Sequence, residues 1–318
     1  MVGVLVTFVL VLSLATVGFC GNYDGKKILY VDSYHEGYEW SDGIARGIQT
    51  ALEGKGVELK IVRMDTKRNG GEEFKKQAGE KVKAVIDEFK PDVVIVADDN
   101  ASRYVVVPYY KDGNIPFVFC GVNWDASDYG FPCKNVTGML EVAPIIPLLE
   151  QLKGYAKGDK IGFIAPDVET ARKEAENYKK VFNLDMTTYY AKDVEDFKKG
   201  FSELENSVDM LIIDSDGGLY KDQAQELQAF VEANSKIPSG TCYDFMAPYA
   251  LIGFTKVAEE QGQWAGESAL KILEGTPPSD IPVAKNEQGK LIVNMKLAEK
   301  MGINVPYEVV ESAATVIQ

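Results

Sequence analysis

Side chains of the usual catalytic kinds are scarce in this chain. His35 is the single histidine, and the four cysteines, Cys20, Cys120, Cys133 and Cys242, form no Cys-x-x-Cys pair. A His- or Cys-built zinc site therefore lacks ligands, and no metal site is expected. The stretch richest in ligand-contacting residues is Ser33-Tyr34-His35-Glu36-Gly37-Tyr38-Glu39-Trp40-Ser41-Asp42. Its aromatics, Tyr34, Tyr38 and Trp40, offer flat apolar walls, and the free N–H groups of a helix start favour an anionic group. Ser33 and the backbone after it are expected to hold a carboxylate, with Trp124 completing the apolar wall. Asp98 and Asn100, Asn123, Asp214-Ser215-Asp216 and Tyr243-Asp244 form a second set. An ionised Asp only accepts hydrogen bonds, so Asp98, Asn123, Asp214 and Asp216 suit ammonium or hydroxyl donors. The ordinary alternatives are that each Asp caps a helix and that the aromatics plug a sheet edge.

Enzyme chemistry finds little support. A Gly-x-Gly-x-x-Gly turn, a Walker-type phosphate loop and a Gly-x-Ser-x-Gly elbow are all missing, so the usual dinucleotide, nucleotide and hydrolase signatures are absent and no cofactor is expected. One enzymatic alternative survives, a hydrolase or isomerase using His35 as acid or base.

These residues need elements to position them. β-rich apolar runs at 27–33, 57–64, 92–97 and 115–120 alternate with helical patterns at 41–54, 71–89 and 101–111. A second set places strands at 160–165, 185–191, 208–214 and 237–242, with helices at 168–181, 193–206 and 220–235. Such alternation predicts parallel βαβ units, here two doubly wound α/β lobes, with ligands bound beyond the carboxyl ends of the strands. The candidate residues stand directly after predicted strands. Residues 134–147, with Gly138, Pro144 and Pro147, read as a crossover between lobes. A helix at 256–274 and a strand pair near 281–295 follow. If that helix returns to the first lobe, the chain crosses several times and the lobes become hinged halves. The expected division is 26–141 plus about 253–278 for lobe 1, and 142–252 plus about 279–318 for lobe 2.

The 318 residues are 46% hydrophobic and 26% charged, an ordinary globular composition. With 48 acidic against 34 basic residues the net charge is -14, which repels nucleic acids and anionic lipid. The first 19 residues carry no charge and are nearly all apolar. Residues 1–20 read as an export signal, with an uncleaved anchor as the alternative. Cys20 follows Val17-Gly18-Phe19, similar to a bacterial lipoprotein box except for Phe19, so lipidation there is a further alternative. Outside the reducing cytosol Cys120 and Cys133, at a strand end and in the loop after it, can bond, the alternative being two buried thiols. Asn135-Val136-Thr137 fits a glycosylation sequon.

Several stretches resemble the substrate-binding proteins of ABC transporters, in the type I periplasmic-binding branch with aromatic-amino-acid binders and extracytoplasmic sensor domains. They are ILYVDSYHEGYEWSDGIARGI (28–48), VVIVADDNASRYVV (93–106), IPFVFCGVN (115–123), NVTGMLE (135–141), GQWAGESALKILEGTPPSDIPV (262–283) and LIVNMKLAEKMGINVP (291–306). The resemblance implies a monomeric, two-lobed periplasmic or extracytoplasmic receptor that closes on a small molecule and delivers it to an ABC permease and its ATPase. An amino acid, or a similar compound with an apolar or aromatic part, is the expected ligand. The Ser-Tyr-His-x-Gly-Tyr-x-Trp loop is more similar to the sensor-type relatives. That keeps a ligand-sensing protein, presenting its ligand to a signalling partner, as a second expectation.

Overall fold

The computed structural model describes residues 23–216 and 223–318. The expected signal segment and the lipidation candidate Cys20 lie outside them. The first part of the chain runs β1 (Lys27–Asp32), α1 (Glu39–Leu52), β2 (Glu58–Arg63), α2 (Glu72–Phe89), β3 (Val93–Ala97), α3 (Asp98–Ala101), a π-helical stretch Ser102–Val106, α4 (Val107–Tyr109), β4 (Phe117–Asn123) and β5 (Val136–Glu141). The second runs α5 (Ile145–Lys153), β6 (Ile161–Pro166), α6 (Glu169–Phe182), β7 (Met186–Ala191), α7 (Val194–Leu204), β8 (Met210–Ile213), α8 (Ala224–Asn234), β9 (Ser239–Thr241) and β10 (Ile252–Lys256). It closes with α9 (Ala258–Leu273), β11 (Ala284–Lys285), β12 (Gly289–Asn294), α10 (Met295–Met301), α11 (Tyr307–Ser312) and β13 (Thr315–Ile317).

Two doubly wound sheets result, as expected. The first, ordered β11-β5-β4-β3-β1-β2, is parallel throughout. The second, ordered β13-β12-β10-β9-β8-β6-β7, is parallel except where β12 pairs with β10. The strand period of two splits the first lobe's core. Ile28 and Tyr30 face α1 and α9, whereas Leu29 and Val31 pack with Ala78, Val82 and Ile86 of α2. The second sheet is covered likewise on its two faces.

Several expectations are corrected. The stretch 134–147 is not simply a crossover: it contains β5, which pairs with β4 and β11. The strand pair near 281–295 is divided between the sheets, β11 in the first and β12 in the second. β10 belongs to the second sheet, so the return to the first lobe begins with α9, not at 253, and extends through β11, beyond 278. The chain thus passes between the lobes after β5, after β10 and after β11. α9 is drawn onto α1 by small residues on both helices: a Cβ at Gly47 would run into the Glu259 carbonyl, and one at Gly262 into the Ile44 carbonyl.

Side chains knit the three crossings together. The Val142 amide donates to Asn286 Oδ1 (2.7 Å), and the Glu260 carboxylate accepts from the amides of Glu287 (2.8 Å) and Gln288 (3.0 Å). Gln261 accepts from the Gly121 amide and donates to the Leu140 carbonyl.

Cys120 and Cys133 are free thiols, not a disulfide. Cys120 is buried on the face of the first sheet that packs against α1 and α9, whereas Cys133 packs against the core of the opposite face. Asn135 of the sequon is buried, its side-chain amide donating to the carbonyls of Tyr110 and Ile115, so it is not available to a glycan.

Candidate functional site

Each sheet sends the residues after its strands into one space. Tyr34 follows β1, Asp98 follows β3, Asn123 ends β4 and Glu141 ends β5; from the second sheet, Cys242 and Tyr243 follow β9 and Lys256 ends β10. Between them lies a cavity of about 390 Å³ lined by Tyr34, Tyr38, Trp40, Lys67, Asp98, Asn123 and Glu141 on one side and by Cys242, Tyr243, Asp244, Phe245, Thr255 and Lys256 on the other. Its volume falls in the range of about 300–1,000 Å³ usual for small-molecule sites.

The first wall is aromatic. Tyr34 and Tyr38 meet edge to face at 5.4 Å between centroids, and the exposed Lys67 ammonium lies 5.1 and 5.0 Å from the two rings. The Trp40 indole N–H donates to Asp98 Oδ1 at 3.0 Å. Asp98 adopts a left-handed backbone conformation (φ 67°), which Asp and Asn tolerate better than most residues. It is 2% exposed, and its second oxygen, Oδ2, is buried without a hydrogen-bond partner. Burial, reinforced by the charges of Glu141, Asp32 and Asp99, pushes its carboxyl well above the usual range against the opposing pull of the Trp40 bond. The facing wall carries Tyr243 and Phe245, with ring centroids 5.6 Å apart; Phe245 is 57% exposed at the lip.

One ammonium stands at the junction. Lys256 pairs with Glu141, joining the last residue of β10 to the last residue of β5, and lies 5.7 Å from the Trp40 ring. Burial pulls the Lys256 ammonium down, but Glu141 and Glu174 outweigh it and the net shift is upward. Behind the pair, Glu174 accepts from the Trp124 indole at 2.8 Å, and burial raises its carboxyl. Asp214 is 3% exposed and pushed well up by burial and then by Glu174, opposed by the Ser215 amide, Lys256 and Tyr243.

Of the expected site residues, Tyr34, Tyr38, Trp40, Asp98, Asn123 and Tyr243 line the cavity. The others are placed elsewhere. Ser33 is a structural tie: its hydroxyl donates to the Ala97 carbonyl (2.5 Å) and accepts from the Ala101 amide (2.8 Å). The amides after it are also engaged, Tyr34 with Asp32, Gly37 with Asp42 and Tyr38 with the His35 carbonyl. His35 meets the Glu36 carbonyl and the Tyr38 ring, with no carboxylate among its hydrogen-bond partners and no place in the cavity lining. Asn100 donates to the Thr66 hydroxyl. Trp124 packs its ring on Tyr178 and Phe182 of the second lobe. Asp214, Ser215 and Asp216 lie outside the cavity lining. Glu141, Lys256, Lys67 and Phe245 were not anticipated. Glu141 and Lys256 each end a strand, the one signal that points to them.

Among the described residues no group of three or more His, Cys, Asp or Glu side chains is placed to hold a metal ion, and no helix is long and apolar enough to cross a membrane.

Two mainly parallel sheets with their strand ends turned to a common cavity, joined by three crossings, define the two-lobed type I periplasmic-binding class of proteins. Residues 38–317 match the family described as ABC transporter substrate binding protein, and the chain belongs to that family. The family binds a small-molecule ligand outside the cytoplasm and delivers it to an ABC transporter. The fold is similar to the ligand-free, open form of a substrate-binding protein with adhesive properties from Clostridium difficile (20% identity, TM-score 0.72, 92% of this chain and 99% of that one). It is also similar to an ABC domain in complex with L-Trp from Streptococcus pneumonia (20% identity, TM-score 0.58, 92% and 99%). A third similar structure is a periplasmic ribose ABC transporter protein from Conexibacter woesei (14% identity, TM-score 0.58, 91% and 98%). No curated protein matches the sequence.

Proposed function

We propose that this chain is an extracytoplasmic receptor for an amino acid or related small compound with an aromatic or apolar part, which it passes to an ABC permease and its ATPase. The observation that carries this reading is the pairing of aromatic walls from both lobes, Tyr34, Tyr38 and Trp40 with Tyr243 and Phe245, around a cavity that Asp98, Glu141 and Asp244 also line. A flat apolar body fits between such rings, and its amine meets the acceptors. The L-Trp complex of the similar pneumococcal domain is in keeping with it. Residues 1–20 serve in export, a lipid anchor on Cys20 being the alternative to a soluble receptor.

A thermal-shift screen of amino acids and small metabolites tests the proposal. Ligand at about 100 times its Kd adds about 2.7 kcal/mol of stability, a clear rise in melting temperature. The hit should return chemically unchanged after long incubation. Its conversion to product would establish an enzyme instead.

A further inference from the structure

Among the described residues, the carboxylate-holding group expected at Ser33 is not built. Ser33 and the amides of Tyr34, Gly37 and Tyr38 are already bonded within the protein. α1 opens with Glu39 and Asp42 in its first turn, so its N-terminal field is opposed by acid. Among the described residues no arginine lines the cavity. Of the two lysines that line it among the described residues, Lys256 is committed to Glu141, and the exposed Lys67 lies 5.1 and 5.0 Å from the Tyr34 and Tyr38 rings.

Acceptors, by contrast, are in surplus. Asp98 lines the cavity, is almost wholly buried, and leaves Oδ2 without a partner although the Trp40 indole serves Oδ1. Asp244 lines the same cavity, as does Glu141, which is paired with Lys256. A buried carboxyl with one oxygen unpartnered, beside an indole and phenol rings, is the environment an ammonium group completes, because its positive charge offsets the burial and the neighbouring acids that push Asp98 up. Charge-assisted hydrogen bonding and cation–π attraction then act on the same nitrogen.

We infer that the ligand class is cationic amines with an aromatic body, recognised through the ammonium group at Asp98 and without need of a free carboxylate. This rests on the receptor reading above and narrows it: an aromatic amino acid enters as an amine, and its carboxylate adds nothing to affinity.

The test compares three compounds sharing one ring system, by isothermal titration on the full mature protein: tryptamine, L-tryptophan and indole-3-propionic acid, with the tyramine series in parallel. Tryptamine or tyramine should bind at least as tightly as the matching amino acid within fivefold, and the deaminated acids should not bind. Asp98→Asn keeps the shape, an acceptor for Trp40 and a residue suited to the left-handed backbone, and should lower amine affinity at least thirtyfold. An amino acid that outbinds its amine by more than fivefold, or an acid that binds, overturns the inference. So does a folded Asp98→Asn that binds amine like the parent. Should the variant fail to fold, the compound series on the parent protein decides alone. If none of these compounds binds but another small metabolite does, this inference falls while the receptor stands. If no small molecule binds at all, the receptor reading itself falls.

Discussion

Lys256 is the cation that Glu141, Glu174 and Asp214 share, and Lys256→Met isolates that role while keeping the apolar stem beside Trp40. Its partner Glu141 is 8% exposed, Lys256's own side chain is 23% exposed, and the pair joins the last residues of β5 and β10, next to two of the three crossings. Breaking a buried pair by removing one partner costs about 3–5 kcal/mol, because the remaining charge is left without compensation. Water reaches part of the Lys256 side chain, so about 2–4 kcal/mol is the scale to expect here. Glu174 and Asp214 add to the cost, since Lys256 holds both carboxyls down against their burial. Urea unfolding followed by tryptophan fluorescence gives the stability of the parent, Lys256→Met, Glu141→Gln and the double variant. Glu141→Gln in the Lys256→Met background should recover much of the loss, with a coupling energy of about 1–3 kcal/mol. A coupling below about 0.5 kcal/mol, the level of independent sites, would show that the pair does not join the lobes energetically.

Three further outcomes follow from the packing. Gly262→Ala gains about 1 kcal/mol of helix propensity but drives a methyl into the Ile44 carbonyl, and overpacking of about 1–3 kcal/mol should win; a stabilised variant in urea unfolding would refute the close approach of α1 and α9. Glu205 is 4% exposed, accepts from the amides of Lys236 (2.6 Å) and Ile237 (3.1 Å), and is pushed by burial from 4.5 up to about 7. The folded protein therefore binds more protons than the unfolded chain between those values, and stability falls as pH rises through that window, by at most about 3 kcal/mol. Glu205→Gln removes this dependence, so the variant should gain on the parent between pH 5 and pH 8, whereas an equal gap at both would exclude the shift. Thiol titration under denaturing, non-reducing conditions should find Cys120, Cys133 and Cys242 all reactive, with the half-buried Cys133 the fastest in the native protein; loss of two thiols at once would restore the disulfide.

The alternation of apolar strands with charged helices was enough to foresee two parallel sheets, because strand and helix periods are local properties of the chain. β5 escaped because Gly138 lies within it and Pro144 and Pro147 follow closely, punctuation that resembles a linker although Val136, Met139 and Glu141 are buried in a sheet. Partition between sheets is not local. Nothing near Ala284 or Gly289 says that β11 and β12 belong to different lobes, since that depends on which edges β5 and β10 leave open. The same limit governs the site. The rule that ligands lie beyond strand ends located the aromatic loop, Asp98 and Tyr243. It could not separate Ser33, whose hydroxyl is spent on holding β3 and α3, from Asp98, whose oxygen remains free. Glu141 and Lys256 are 115 positions apart, and only the two crossings they flank bring them together.

The central claim is that one ligand is held by both lobes at once, and isothermal titration of the tightest compound from the thermal screen tests it most directly. The parent should bind one molecule per chain. Tyr34→Ala in the first lobe and Phe245→Ala in the second should each weaken binding at least tenfold, a loss of about 1.4 kcal/mol, without changing the stoichiometry. A loss confined to the variant of one lobe, or none in either, would contradict the account.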